Sequence, residues 1–195
     1  MTRSADIDRT TNETEISLSL ALDGDGSGTR STGVGFFDHL LDALARHGRL
    51  DLDLKVDGDL ETGAHHTVED TGIAIGQALD QALDDRSGIR RFGHAVVPMD
   101  EARAAATIDI SGRPFAAVTA DWPDTPLGSF EPGLFEEFVR GLANNAKLTV
   151  HVEVEVQGDT HHEVEACMKA FARALREAVS IDPDETGIPS TKGLL

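Results

Sequence analysis

Polar and apolar residues alternate from Thr14 to Leu22 (TEISLSLAL), the period of a strand with one buried face. The period then changes. Phe37, Leu40, Leu41, Leu44 and Ala45 recur at helical spacing, and Leu50, Leu52, Leu54 and Val56 alternate again up to Gly58-Asp59. A second helix is predicted to open at His65-His66. The later part of the chain repeats this order. Ala95–Val97, Ala104–Ile110 and Phe115–Thr119 are strand candidates, with turn signals at Ser111-Gly112 and Pro123-Asp124. Phe135, Phe138, Val139 and Leu142 follow helical spacing. Leu148, Val150, Val152 and Val154 alternate up to Gly158-Asp159, and another helix is predicted to open at His161-His162.

Each half therefore reads as strands, helix, strand, helix. This predicts an α+β fold built by tandem duplication, with sheets covered by helices on one face. The repeats are placed at residues 1–86 and 87–180, with the boundary near Asp85–Gly88. The tail, 181–195 (IDPDETGIPSTKGLL), is rich in Pro and Gly and reads as a loop that packs elsewhere.

Composition narrows the function classes. In 195 residues, 39% are apolar, enough for a core. No run approaches the roughly 18 apolar residues of a membrane span, and MTRSADIDRTTNETEI lacks the apolar stretch of a signal peptide. One cysteine, Cys167, excludes an internal disulfide and fits a reducing cytoplasm. The formal charge of -18 argues against nucleic-acid and anionic-membrane partners. The acids are dispersed and lysine is scarce, which suits a solvated surface in high salt, where self-repulsion is screened.

The candidate chemistry lies in a duplicated motif, His65-His66-x-x-Glu69 and His161-His162-x-x-Glu165. On a helix, residues four apart share a face, pairing His65 with Glu69 and His161 with Glu165. His66 and His162 point roughly 100° away. The economical arrangement is two metal ions, each taking one His/Glu pair and one lone histidine from the other cluster. His39 on FFDHLL aligns through the repeat with Glu137 on LFEEFV, and both can ligate. The expected sets are His39, His66, His161 and Glu165 for one ion, and His65, Glu69, Glu137 and His162 for the other. Mixed imidazole and carboxylate donors suit Mn, Fe or Zn, and octahedral coordination would leave open positions for catalysis. Against the acidic background, Arg90-Arg91, Arg113, Lys169 and Ser190-Thr191-Lys192-Gly193 suggest a phosphate site.

The segments RTTNETEI, TGVGFFDHLLDALARHG, GAHHTVEDTGIAIGQAL, GIRRFGHAVVPMDEA, ISGRP, GDTHHEVEACMKAFARAL and IPSTKGLL together resemble the imidazoleglycerol-phosphate dehydratases of histidine biosynthesis. The likeness runs in order from Arg9 to Leu195. It implies a fold of two ribosomal-protein-S5-domain-2-like units, two manganese ions per active site, and a homo-oligomeric cage of 24 subunits with sites between subunits. The substrate would be D-erythro-imidazole glycerol phosphate, dehydrated to imidazole acetol phosphate. Carried over by motif, Glu13 and His47 join the catalytic groups, and Arg91, Arg113, Lys169, Ser190, Thr191 and Lys192 hold the substrate and its phosphate. One position departs from the resemblance: the family's usual pattern has histidine where this chain has Glu137. Two rival functions use the same residues. A dinuclear phosphoester hydrolase would release inorganic phosphate, and a non-catalytic metal-binding cage would leave Glu13, the arginines and the STKG loop without a role.

Overall fold

The computed structural model describes residues 3–195; Met1 and Thr2, at the start of the first repeat, lie outside the described residues. The first unit comprises β1 (Ser4–Thr10), β2 (Thr14–Ala21), β3 (Arg30–Ser31), α1 (Gly35–Gly48), β4 (Asp51–Gly58) and α2 (His65–Leu83), with a 3₁₀ turn at Leu60–Thr62. The second comprises β5 (Phe92–Met99), β6 (Ala102–Asp109), β7 (Phe115–Thr119), α3 (Leu134–Ala146), β8 (Thr149–Val156) and α4 (Thr160–Val179). The sheets have the same order, β1-β2-β4-β3 and β5-β6-β8-β7. In each, the last strand of the order pairs parallel with its neighbour and the others are antiparallel. Two units with one strand order and one helix order are the expected duplication.

The duplication reaches individual residues. Both first helices end on a non-glycine residue in the left-handed region, Arg49 at φ 54° and Lys147 at φ 58°. Each donates its N–H to the carbonyl four residues back, Ala45 or Ala143. The following Leu50 and Leu148 donate to those same carbonyls at 3.0 and 2.9 Å. The closure turns the chain sharply from helix to strand and drives Leu50 and Leu148 into the core, where both are fully buried.

One row of each sheet packs inward: Ile16, Leu18, Leu20, Leu52 and Leu54 in the first, and Ala104, Ala106, Ile108, Val150 and Val152 in the second. α2 lies on the first sheet and α4 on the second, while α1 packs on α4 and α3 on α2. The four helices thus form one layer between the sheets, and the buried residues form a single cluster. The tail has neither helix nor strand and folds back. Arg86 Nη1 donates to the Leu195 carbonyl at 3.3 Å, and Gly88 N–H to the Gly187 carbonyl at 2.8 Å.

The helix crossings hold the candidate site. A Cβ on Gly72 would stand 2.4 Å from the Phe138 carbonyl oxygen, and one on Gly76 2.5 Å from that of Leu142. α2 and α3 therefore touch backbone to backbone, and a carbonyl cannot rotate away as a side chain can. Gly72→Ala gains about 1 kcal/mol in helix propensity but incurs an overpacking cost of about 1–3 kcal/mol. With a backbone atom as the obstacle, the second effect is expected to win and lower the thermal midpoint. An unchanged midpoint would show that the two helices separate freely.

Candidate metal centre

α4 opens at a fixed point because Asp159 caps it, its side chain accepting the His161 N–H at 2.9 Å. Counting from that cap, His161 and Glu165 fall one turn apart on one face, with His161 Nε2 3.0 Å from Glu165 Oε1. α1 lies against this face and brings His39 Nε2 to 2.8 Å from the same oxygen. Three expected ligands thus converge, with Glu165 6% exposed at its side chain and the two imidazoles open at 53% and 45%. Phe36 walls the group, its ring 4.9 Å from that of His161. Lys169, one turn further, donates to the second Glu165 oxygen at 2.5 Å. Burial pushes the Glu165 carboxyl up, but hydrogen bonds from Lys169 and His39 outweigh it and hold it at about 2.

The second group occupies the corresponding place across α2 and α3, but its members are less closely drawn together. His65 Nε2 lies 3.4 Å from Glu69 Oε2, the other i,i+4 pair. His65 and Glu137 line one open cleft of about 540 Å³ with Trp122 and Glu131. Glu137 there accepts from Arg140, one turn along α3, at 2.9 and 3.1 Å. The two groups are related as the two units are, one on α1 and α4, the other on α3 and α2.

His66 and His162 turn away, as their helical phase requires. His66 Nδ1 meets both oxygens of Asp59, at 3.1 and 3.0 Å, and its Nε2 lies 3.7 Å from Glu13 Oε1. His162 Nδ1 meets both oxygens of Glu101, at 3.2 and 3.1 Å. The Asp59 and Glu101 carboxylates raise the two imidazole pKa values. In return, the Asp159 N–H, backed by Glu101's own N–H and His162, holds Glu101 down at about 2. Asp100, Glu101 and His162 bring donor atoms within 4.8 Å of one another, but Glu101 is already spent on the imidazole and on the Asp159 N–H.

The anion-binding candidates fall into two places within the chain. Arg91, itself at φ 70°, reaches both oxygens of Asp109 at 2.7 and 3.2 Å and donates to the Pro189 carbonyl at 2.9 Å. Arg113 lies 3.8 Å from Asp109, so Asp109 gathers both arginines beside the Ser190–Thr191–Lys192 loop. Lys169 lies in the second place, on the Glu165 carboxylate. His47, in the last turn of α1, is depressed first by burial and then by Lys169, Arg173 and Arg46. Asp59, Glu101 and Asp109 carry no signal in a chain with 35 acidic residues; only the repeat register of Glu13 and Glu101 could have marked one of them.

Known proteins give this arrangement a context. The family model described as imidazoleglycerol-phosphate dehydratase matches residues 32–175. Relatives of that name from Granulibacter bethesdensis and Moorella thermoacetica are 55% and 52% identical, each over the full length of both chains. Among solved structures, the dehydratase of Pyrococcus furiosus, crystallised with the compound (S)-C348, superposes with a TM-score of 0.84 at 36% identity, over 97% of this chain and 100% of that one. The Staphylococcus aureus enzyme gives 0.83 at 37% identity, over 92% and 99%. With its paired His-His-x-x-Glu helices and duplicated sheets, the chain belongs to the imidazoleglycerol-phosphate dehydratase family, the hydro-lyases that carry out the dehydration step of histidine biosynthesis.

Proposed function

We propose that this chain dehydrates imidazole glycerol phosphate at a centre of two manganese ions, with His39, His66, His161 and Glu165 holding one and His65, Glu69, Glu137 and His162 the other. The observation that supports this most is the convergence of His39, His161 and Glu165 from two helices onto one oxygen. Unlike groups sharing a partner at hydrogen-bond distance form the donor set an ion would occupy, and nitrogen with carboxylate oxygen suits manganese. Bound there, the ions supply Lewis acidity toward the substrate's imidazole ring.

The remaining work falls to the chain's own side chains. Arg91, Arg113, Lys169 and the Ser190–Lys192 loop hold the phosphate, and the fixed tail orients the reacting carbons. Asp109 keeps the two arginines together, and the backbone contact from Arg91 to Pro189 ties them to the loop. Glu13 moves the proton at C2. Lys169 balances the buried charge of Glu165, and His47, at the end of α1, joins the catalytic groups with its pKa lowered by burial and by Lys169.

His66 and His162 face other parts of the surface, and the two clusters are open on one side. A neighbouring copy would complete each set, which supports a homo-oligomer, a 24-subunit cage with sites between subunits. A cytoplasmic location belongs to the same reading, supported by the single buried thiol of Cys167. Among the described residues no helix is long and apolar enough to cross a membrane.

Removal of metal tests the proposal. Chelator-treated protein is expected to lose turnover of imidazole glycerol phosphate and to regain it with manganese at two ions per chain. Full turnover in metal-free protein would refute the assignment. Release of inorganic phosphate in place of a keto product that keeps its phosphate would favour the hydrolase.

A further inference from the structure

Each lone histidine lies beside the same two carboxylates by repeat register. Glu13 precedes Thr14, the first residue of β2, and Glu101 precedes Ala102, the first residue of β6. Asp59 follows Gly58 and Asp159 follows Gly158. The two halves use these groups differently. In the first, Asp59 grips His66 Nδ1 with both oxygens, and the Glu13 carboxylate makes no hydrogen bond among the described residues, standing 3.7 Å from His66 Nε2. In the second, Asp159 is spent as the cap of α4, and Glu101 takes its place on His162 Nδ1. Glu101 also accepts the Asp159 N–H at 2.6 Å. Space for it exists because residue 158 is glycine: a Cβ there would meet Glu101 Oε1 at 2.5 Å.

A histidine whose Nδ1 donates to a carboxylate is fixed as the tautomer with its lone pair on Nε2, and its ring can no longer spin. We propose that Asp59 and Glu101 are positioning residues that hold His66 and His162 with Nε2 outward as the ligating atom, and that Glu13 is available for proton transfer because Asp59 has taken its half's positioning role. The inference rests on the ligand reading above. It also accounts for an asymmetry between the halves: of two glutamates in one register, Glu101 is bonded to His162 Nδ1, and Glu13 stands 3.7 Å from His66 Nε2, the distance that Asp100 keeps from His162 Nε2.

The experiment measures manganese dissociation constants for both ions in the assembled full-length protein. Glu101→Gln leaves the Asp159 N–H an amide oxygen to meet but turns an N–H₂ toward the ring, favouring the tautomer that cannot ligate through Nε2. One ion is expected to weaken by about 10- to 100-fold, the usual effect of losing such a partner, while the other is unchanged. Asp59→Asn is expected to weaken the opposite ion. In a His162→Ala background Glu101→Gln should add no further loss, because its effect passes through that ring. Equal losses with and without His162 would make Glu101 a structural anchor and overturn the inference, as would unchanged dissociation constants in both single variants. Wild-type protein that takes up fewer than two ions would instead overturn the ligand reading, and this inference with it.

Discussion

Glu13→Gln is expected to fold, assemble and bind both ions as the wild type does, and to turn over imidazole glycerol phosphate about 100- to 10,000-fold more slowly, the usual effect of removing a general acid or base. The geometry separates the two functions of this residue. Its backbone is pinned on both sides: the Glu13 N–H donates to Thr11 Oγ1 at 3.1 Å, and the Glu13 carbonyl accepts the Asp59 N–H at 3.1 Å. Its side chain is half exposed and carries no hydrogen bond among the described residues. Glutamine preserves the turn and the shape while losing the carboxylate's capacity to take up and release a proton. The loss should therefore appear in kcat, with substrate affinity and melting temperature little changed. Steady-state kinetics with metal content measured on the same sample checks it. Near-normal kcat at full occupancy would remove Glu13 from the chemistry.

Much of this arrangement was legible in the sequence because it is periodic. The i,i+4 pairs follow from helix geometry alone, and His65 with Glu69 and His161 with Glu165 lie as that geometry requires. The repeat then placed His39 opposite Glu137 without any knowledge of packing. What periodicity cannot give is which helices touch. His39 reaches Glu165, a contact spanning 126 positions, because each unit's first helix packs on the other unit's second. Two strands were also invisible. β1 (SADIDRT) buries only Ile7, being an edge strand, so no alternation marks it. β3 has two residues, and its pairing with β4 is the evidence that it is a strand at all. Lys169 shows what residue type leaves open: its charge groups it with the phosphate-binding arginines, and within the chain it also lies on the carboxylate of Glu165, one turn earlier on α4.

Glu137→Ala is expected to leave one tightly bound manganese ion per chain where the wild type holds two. Glu137 stands on the first turn of α3, at the point that corresponds to His39 on α1, and it opens onto the same cleft as His65. Its present partner is Arg140, a surface ion pair 46% exposed at the arginine. Such a pair contributes roughly 0–1 kcal/mol, far less than a carboxylate gains from a divalent cation. Exchange of Arg140 for the ion is therefore downhill, and Glu136 remains to hold the arginine at 2.8 Å. With Glu69, Glu137 would give this ion a second carboxylate, making the site harder and more selective for manganese than the His39 site with its single glutamate. Glu137→His should restore the second ion with a preference shifted toward softer metals. Metal analysis of the three proteins after equilibration with manganese and zinc decides the matter. Two tightly held manganese ions and full turnover in Glu137→Ala would show that Glu137 stays with Arg140 and that water completes the second site.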